Sequence, residues 1–138
     1  MNLNFRIKIY VAVAIFLAIT YFFKNTNQED SLPVIGGIPD FEFIDSEGRD
    51  VGLSTLKGKV WVADFIFTTC TMACPIMTGN MNIIHKKYKK NDDIRLVSIS
   101  VYPEYDTPEV LKKYASQYEA NTDTWHFLTG NENTVKEV

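Results

Sequence analysis

A chain of 138 residues, of which 46% are hydrophobic, is long enough to form one domain with a packed core. Arg6, Lys8 and Lys24 account for three of its 14 basic residues, so the sequence after residue 24 is more acidic than the net charge of −3 of the whole chain indicates. Nucleic-acid binding is not expected of such a domain, because it requires a basic face.

The first 24 residues resemble a membrane anchor. The stretch 7–23 is apolar except for Lys8, Thr20 and its tyrosines, and its length is near the lower limit for crossing a bilayer. More positive charge precedes this stretch than follows it, which predicts that the N-terminus stays in the cytoplasm and the rest is exported. We therefore expect a single-pass transmembrane helix in the cytoplasmic membrane, with the domain facing the periplasm or extracytoplasmic space. A cleaved signal peptide is the alternative.

Residues 25–38 are polar at first and then rich in proline and glycine, which is typical of a linker. We therefore place the folded domain at residues 39–138. Within it, the alternation of residues 41–44 and the return at 51–53 predict a β-hairpin. A single helical turn over 53–58, ending at Gly58, follows the hairpin.

After the hairpin, predicted strands and helices alternate. The nearly continuous apolar run at 59–67 predicts a central strand that is buried on both faces. Further periodicities predict, in order, a helix over 74–89, a strand over 94–101, a helix over 108–118, a strand over 125–128 and a last helix after Asn131. This order indicates an α/β fold with a parallel or mixed sheet.

The first predicted junction between strand and helix holds both cysteines of the chain. Cys70 and Cys74 are separated by three residues, and Pro75 follows the second. Proline is favoured in the first turn of a helix, so Cys74 is expected at or just inside the helix N-terminus. The positive end of the helix dipole should lower the pKa of both thiols and favour the thiolates, which bind metals or attack disulfides. A cysteine pair at this place in an α/β fold indicates a thioredoxin-like architecture.

Asp64 is a polar residue within the apolar run. Burial is expected to raise the pKa of its carboxyl group. Two roles are open: a carboxylate that meets a lysine or a hydroxyl group, or a proton carrier for Cys74, as its spacing from Cys70 resembles that of the buried aspartate of thioredoxins.

Other potential metal ligands have simpler expected roles. His85 lies beside lysines near the end of a predicted helix, about 16 Å from Cys74, and is expected to be a solvated surface residue. His126 is expected on the strand face opposite to its aromatic neighbours. Met72 and Met77 could offer thioethers to a soft metal, although core packing is the simpler role for methionine.

Three motifs, in order, are similar to the Sco/SenC family: TCTMACP at 69–75, SISVYPEYDTPEVL at 98–111 and WHFLTG at 125–130. The resemblance runs from about residue 39 to the end of the chain. It implies a membrane-anchored, thioredoxin-like protein that holds copper and delivers it to the dinuclear copper centre of cytochrome c oxidase during assembly. Its partner would be the copper-bearing oxidase subunit, and by position its cysteine ligands are Cys70 and Cys74.

The resemblance also implies a third copper ligand, a histidine that lies beyond the point corresponding to Val138. We therefore expect the sequence to be a C-terminally truncated member of the family. The residues themselves also allow a second function, thiol-disulfide exchange on cysteines of the oxidase copper subunit or of other exported proteins. In an exported domain the two cysteines could also persist as a disulfide.

Overall fold

The computed structural model describes residues 3–26 and 36–137. The first of two compact units holds helix α1, Leu3–Thr26. Within the described residues, no helix combines the length and the apolar character needed to cross a membrane. The predicted transmembrane helix over residues 1–24 is therefore not supported, although residues 3–24 are helical. Arg6, Lys8 and Lys24 interrupt its apolar sequence near both ends. The predicted linker, 25–38, lies largely outside the described residues.

The second unit begins at Ile38 and contains all the other described elements. They follow the predicted order closely. Their bounds are β1 Glu42–Asp45, β2 Asp50–Gly52, α2 Leu53–Leu56, β3 Val60–Ile66, α3 Ala73–Tyr88, β4 Ile94–Ser100, α4 Pro108–Gln117, β5 Trp125–Thr129 and α5 Glu132–Glu137.

These strands form one mixed sheet in the order β2-β1-β5-β4-β3. Strands β3, β4 and β5 are parallel to one another, while β1 pairs antiparallel with both β2 and β5. The predicted hairpin and the parallel or mixed sheet are both confirmed. Parallel neighbours require crossover connections, which here contain helices α3 and α4.

The prediction that the first parallel strand is central and buried on both faces is wrong. In the described sheet, β3 lies at an edge and pairs only with β4. Its Asp64 and Ile66 are buried, whereas Ala63 and Phe65, on the other face, are exposed. A continuous apolar run is compatible with either position in a sheet, because it does not specify which elements cover each face.

Side chains from both faces of the sheet form the core, since neighbouring residues of a strand point to opposite faces. One cluster includes Trp125 and Phe127 of β5 together with Leu111 and Tyr114 of α4. A second cluster includes Leu128, with residues of β1, β2 and α2. Cys74 belongs to the first cluster, so the candidate site is continuous with the core on that face.

Candidate metal centre

The paired cysteines lie where β3 leads into α3. The turn between these elements is closed by a hydrogen bond of 3.1 Å from the Cys70 N–H to the Phe67 carbonyl oxygen. Helix α3 begins at Ala73, so Cys74 occupies its first turn, as predicted, and Cys70 precedes the helix. Pro75, within this first turn, needs no hydrogen-bond acceptor for its nitrogen.

The structure brings the two cysteines together. The backbone N–H of Cys74 donates a hydrogen bond of 3.3 Å to the Cys70 sulfur. Both are free thiols. Cys70 is half-buried, whereas Cys74 is only 4% exposed. One sulfur is therefore accessible from solvent and the other lies behind it.

The two thiols differ in acidity. Hydrogen bonds from the backbone N–H groups of Cys74 and Met72, and from the Cys74 thiol, lower the pKa of Cys70 to about 7. Burial raises the pKa of Cys74, and the nearby charges of Cys70 and Asp64 raise it further. The prediction that both pKa values are lowered is correct for Cys70 and wrong for Cys74, because desolvation outweighs the amide groups at the buried sulfur.

Asp64 lies on β3, six residues before Cys70. Ser98 donates a hydrogen bond of 2.6 Å to its Oδ1, and Trp125 Nε1 donates one of 3.0 Å to the Ser98 hydroxyl oxygen. Burial raises the pKa of Asp64, as predicted. Its Oδ2 is buried and has no hydrogen-bond partner among the residues that the structure describes. The predicted contact with a hydroxyl group is confirmed, and the charge of Asp64 also acts on Cys74.

Both histidine side chains are buried. His85 is buried, packs against Trp125 with ring centroids 5.4 Å apart and lies 3.3 Å from the Thr124 hydroxyl through Nε2. The prediction of a solvated surface residue is wrong, because α3 turns this face to the sheet. His126 Nδ1 lies 3.5 Å from Asp45 Oδ2, in the β1–β2 hairpin.

An accessible surface surrounds Cys70. Met72 is 79% exposed and Met77 is also exposed, so the expectation that they pack in the core is wrong. Core-facing positions of α3 are instead taken by residues that include Met81. A groove of about 380 Å³ opens beside Cys70 and is lined in part by Pro75 and Tyr105.

The donor set suits a soft metal ion. Thiolates are ligands that select Cu(I), and the accessible thioether of Met72 is a further soft donor close in sequence to Cys70. Among the residues that the structure describes, no group of three or more histidine, cysteine, aspartate or glutamate side chains is arranged to hold a metal. Cys70 and Cys74 thus offer two sulfur donors that lie close together.

The sequence did not single out Asp106, which is fully buried next to the turn that carries Cys70. Its carboxylate accepts hydrogen bonds from the N–H and hydroxyl group of Thr68 and from the hydroxyl group of Ser100. An aspartate directly before Thr107 and Pro108 is easily interpreted as part of a helix start. Only the contact across 38 residues with Thr68 distinguishes it.

The sequence model of a protein family, described as SCO1/SenC, matches residues 31–138 of this chain. A relative from Bacillus subtilis, the SCO1 protein homolog, is 49% identical over 104 residues, which cover 75% of this chain and 54% of the relative. A SCO2-like protein from Rickettsia typhi is 35% identical over 99 residues, covering 71% of this chain and 47% of that protein. The chain thus spans about half the length of the curated relatives it matches.

Two solved structures are similar to this one. BsSco, described as a member of the Sco family of cytochrome c oxidase assembly proteins with a disulfide switch, has a TM-score of 0.71 and 44% identity, over 80% of this chain and 66% of that one. Bradyrhizobium japonicum ScoI, solved with copper bound, has a TM-score of 0.66 and 30% identity, over 76% and 64% of the two chains. Both support the predicted thioredoxin-like α/β fold. With the family model matched over most of its length, the chain belongs to the SCO1/SenC family.

Proposed function

We propose that the protein binds copper through Cys70 and Cys74 and delivers it to the copper-bearing subunit of cytochrome c oxidase during assembly of the oxidase. The observation that carries this proposal is the convergence of the two thiols, with the Cys74 N–H donating to the Cys70 sulfur over 3.3 Å. Support comes from BsSco, a member of a family of oxidase assembly proteins, and from ScoI, which was solved with copper bound.

The chemistry of the two thiols suits a metal ion that is first bound and later released. Cys70, with a pKa of about 7, is substantially ionised near neutral pH and offers a thiolate without a large cost of deprotonation. Cys74 has a raised pKa, so copper binding must displace its proton. Because Cys70 is half-buried and adjoins the open groove, ligands of a partner can approach the metal from that side.

A competition titration with a Cu(I) chelator tests the proposal. Reduced wild-type protein is expected to bind one Cu(I) far more tightly than Cys70→Ala or Cys74→Ala. Exposed Met72 offers a matched control, because Met72→Leu keeps the volume and removes only the thioether. Equal affinity of the wild type and both cysteine variants would overturn the proposal, whereas a loss in Met72→Leu alone would assign the copper to the thioether.

We place the domain outside the cytoplasmic membrane, on the basis of the basic and then apolar sequence of residues 1–24. Fusion of alkaline phosphatase, which folds only after export, to the C-terminus of the chain tests this location. The fusion should be active, and removal of residues 1–24 should abolish the activity. An inactive fusion with an intact N-terminus would place the domain in the cytoplasm.

A second function is supported by the unequal acidity of the thiols. In thiol-disulfide exchange, the Cys70 thiolate would attack a disulfide of the partner and form a mixed disulfide, with release of one partner thiolate. Cys74 would then lose its proton and attack Cys70, so that the partner leaves with both cysteines reduced and the domain holds the Cys70–Cys74 disulfide. The substrates of this exchange would be the cysteines of the oxidase copper subunit, because the same subunit receives the copper in the first proposal.

Reaction of the reduced domain with an oxidised peptide that contains two cysteines distinguishes the two functions. Exchange predicts fast release of peptide thiols by the wild type and a trapped mixed disulfide with Cys74→Ala. Negligible exchange, together with tight Cu(I) binding, would leave only copper delivery.

A further inference from the structure

A buried aspartate connects the loop after β4 to the turn that carries Cys70. Asp106 Oδ2 accepts hydrogen bonds from the Thr68 N–H at 3.1 Å and from the Ser100 hydroxyl group at 2.6 Å, while Oδ1 accepts one from the Thr68 hydroxyl group. The whole residue is inaccessible to solvent. Charge-assisted hydrogen bonds of this kind are stronger than those between neutral groups.

Thr68 lies in the segment that places both sulfurs. The preceding residue, Phe67, accepts the hydrogen bond from the Cys70 N–H, and its own backbone N–H acts on the Cys74 sulfur, where it favours the thiolate. Ile66, the last residue of β3, accepts a hydrogen bond from Val101. Beyond this point the turn leaves the sheet, so its position depends on contacts of its own.

The carboxylate of Asp106 takes part in its own loop through Ser100, whose hydroxyl group also accepts a hydrogen bond of 3.0 Å from the Tyr102 N–H, but other hydrogen bonds of this loop do not involve the carboxylate. There, the Asp106 N–H donates to the Tyr102 carbonyl oxygen at 3.0 Å, and the start of α4 is capped by the Thr107 hydroxyl oxygen, which accepts from the Val110 N–H. Two of the three groups that donate to the carboxylate belong to Thr68. Its hydrogen bonds therefore serve mainly the turn before Cys70.

We propose that Asp106 is a positioning residue of the thiol site: by holding Thr68, it fixes the turn that sets Cys70 against Cys74. This inference rests on the proposed function in so far as that function requires the two sulfurs to act together. Ser100, through its hydroxyl group, orients the carboxylate from the sheet side. Loosening the turn lowers the effective concentration of one thiol relative to the other, which weakens every process that uses both.

The equilibrium with glutathione measures this effective concentration without copper. Two thiols of the reduced domain react with one oxidised glutathione and yield the Cys70–Cys74 disulfide and two reduced glutathiones. In the full chain, Asp106→Asn replaces one accepting oxygen with a donor group, and we expect its equilibrium constant to fall about tenfold. The isosteric Thr68→Val removes the hydroxyl hydrogen bond and keeps the N–H, so about a threefold fall is expected.

Asp45→Asn is the matched control, because Asp45 is also fully buried and accepts hydrogen bonds from the N–H groups of Glu47 and Arg49 and from the Arg49 side chain. It should reduce resistance to urea and leave the glutathione constant within about twofold of the wild type. Equal changes in the constant for Asp106→Asn and Asp45→Asn would show a merely structural role and overturn the inference.

Thr68→Val decides the result if Asp106→Asn does not fold. A constant equal to that of the wild type in this variant would overturn the inference. Cu(I) titration of the same proteins separates this inference from the proposed function. A wild type that fails to bind Cu(I) refutes copper delivery, while the glutathione constants still test the role of Asp106.

Discussion

The backbone N–H of Cys74 points at the sulfur of Cys70 across 3.3 Å, so the first turn of α3 stabilises a thiolate that lies outside the helix. The same helix buries the sulfur of Cys74 against the core. One local arrangement therefore has opposite effects on two identical side chains. An accessible, acidic thiol next to a buried, less acidic one is the property from which the proposed chemistry follows.

The first prediction concerns alkylation of the two thiols. Because backbone N–H groups lower the pKa of Cys70 to about 7, its reaction with iodoacetamide should rise with pH to a plateau with a midpoint near pH 7. Cys74, whose pKa is raised from 9.0, should react more slowly and with a midpoint above that value. Mass spectrometry of the digested protein after timed labelling measures the two sites separately. Identical profiles for both cysteines would contradict the asymmetry.

The second prediction concerns Asp64→Asn. Burial raises the pKa of Asp64 above 3.8, so the folded state disfavours the ionised carboxyl, and the wild type loses stability as the pH rises from the unfolded pKa to the folded one. Asparagine has no such charge and can still accept the hydrogen bond from Ser98. Relative to the wild type, the variant should therefore gain stability as the pH rises above about 4.

Urea unfolding of both proteins at a series of pH values from about 4 upward measures the difference between their free energies of unfolding. The titrations of all other groups are shared by the two proteins and cancel in this difference. The same substitution removes a negative charge near Cys74, so the alkylation midpoint of Cys74 should fall. A constant difference in free energy at all pH values would show that Asp64 titrates normally.

The third prediction concerns the two histidines. Burial lowers the pKa of His85, with further lowering by Lys89 and Lys86, and burial also lowers that of His126 despite its contact with Asp45. Both imidazole groups should therefore titrate below 6.5 in a proton NMR experiment. Since the unfolded chain binds these protons more readily, stability should fall as the pH drops below about 6.5. A midpoint for His85 at or above 6.5 would be the behaviour of a solvated side chain.

The fourth prediction compares two glycines. A Cβ atom at Gly130 would lie 2.6 Å from Cδ1 of Phe43, whose ring is buried in the core, so Gly130→Ala should cost about 1–3 kcal/mol of unfolding free energy. At Gly79, inside α3, such an atom would meet no described residue within 4 Å apart from its chain neighbours and the backbone of the helix itself. Gly79→Ala should instead stabilise the protein by about 0.5–1 kcal/mol, because alanine favours the helix. Thermal unfolding of both variants measures the contrast, and equal destabilisation would contradict it.

The order of helices and strands could be predicted from the sequence because each element is encoded by its local periodicity and by the residues that begin or end it. Helix α4 illustrates this, since Thr107 caps it and Pro108 begins it, as expected. The place of the cysteine pair was predictable for the same reason: a strand pattern, two cysteines and Pro75 are neighbours in the chain. Such signals require no knowledge of what packs against them.

Tertiary structure alone decided which surfaces lose contact with water. The edge position of β3, the burial of His85 and the exposure of Met72 all depend on which elements meet, and a local pattern does not contain that information. The raised pKa of Cys74 has the same origin, because desolvation depends on distant residues, whereas the lowered pKa of Cys70 comes from backbone N–H groups close to it in the chain. The sequence thus determined that two thiols precede and enter one helix. Packing determined which of them is exposed, and a contact across 38 residues determined what holds their turn in place.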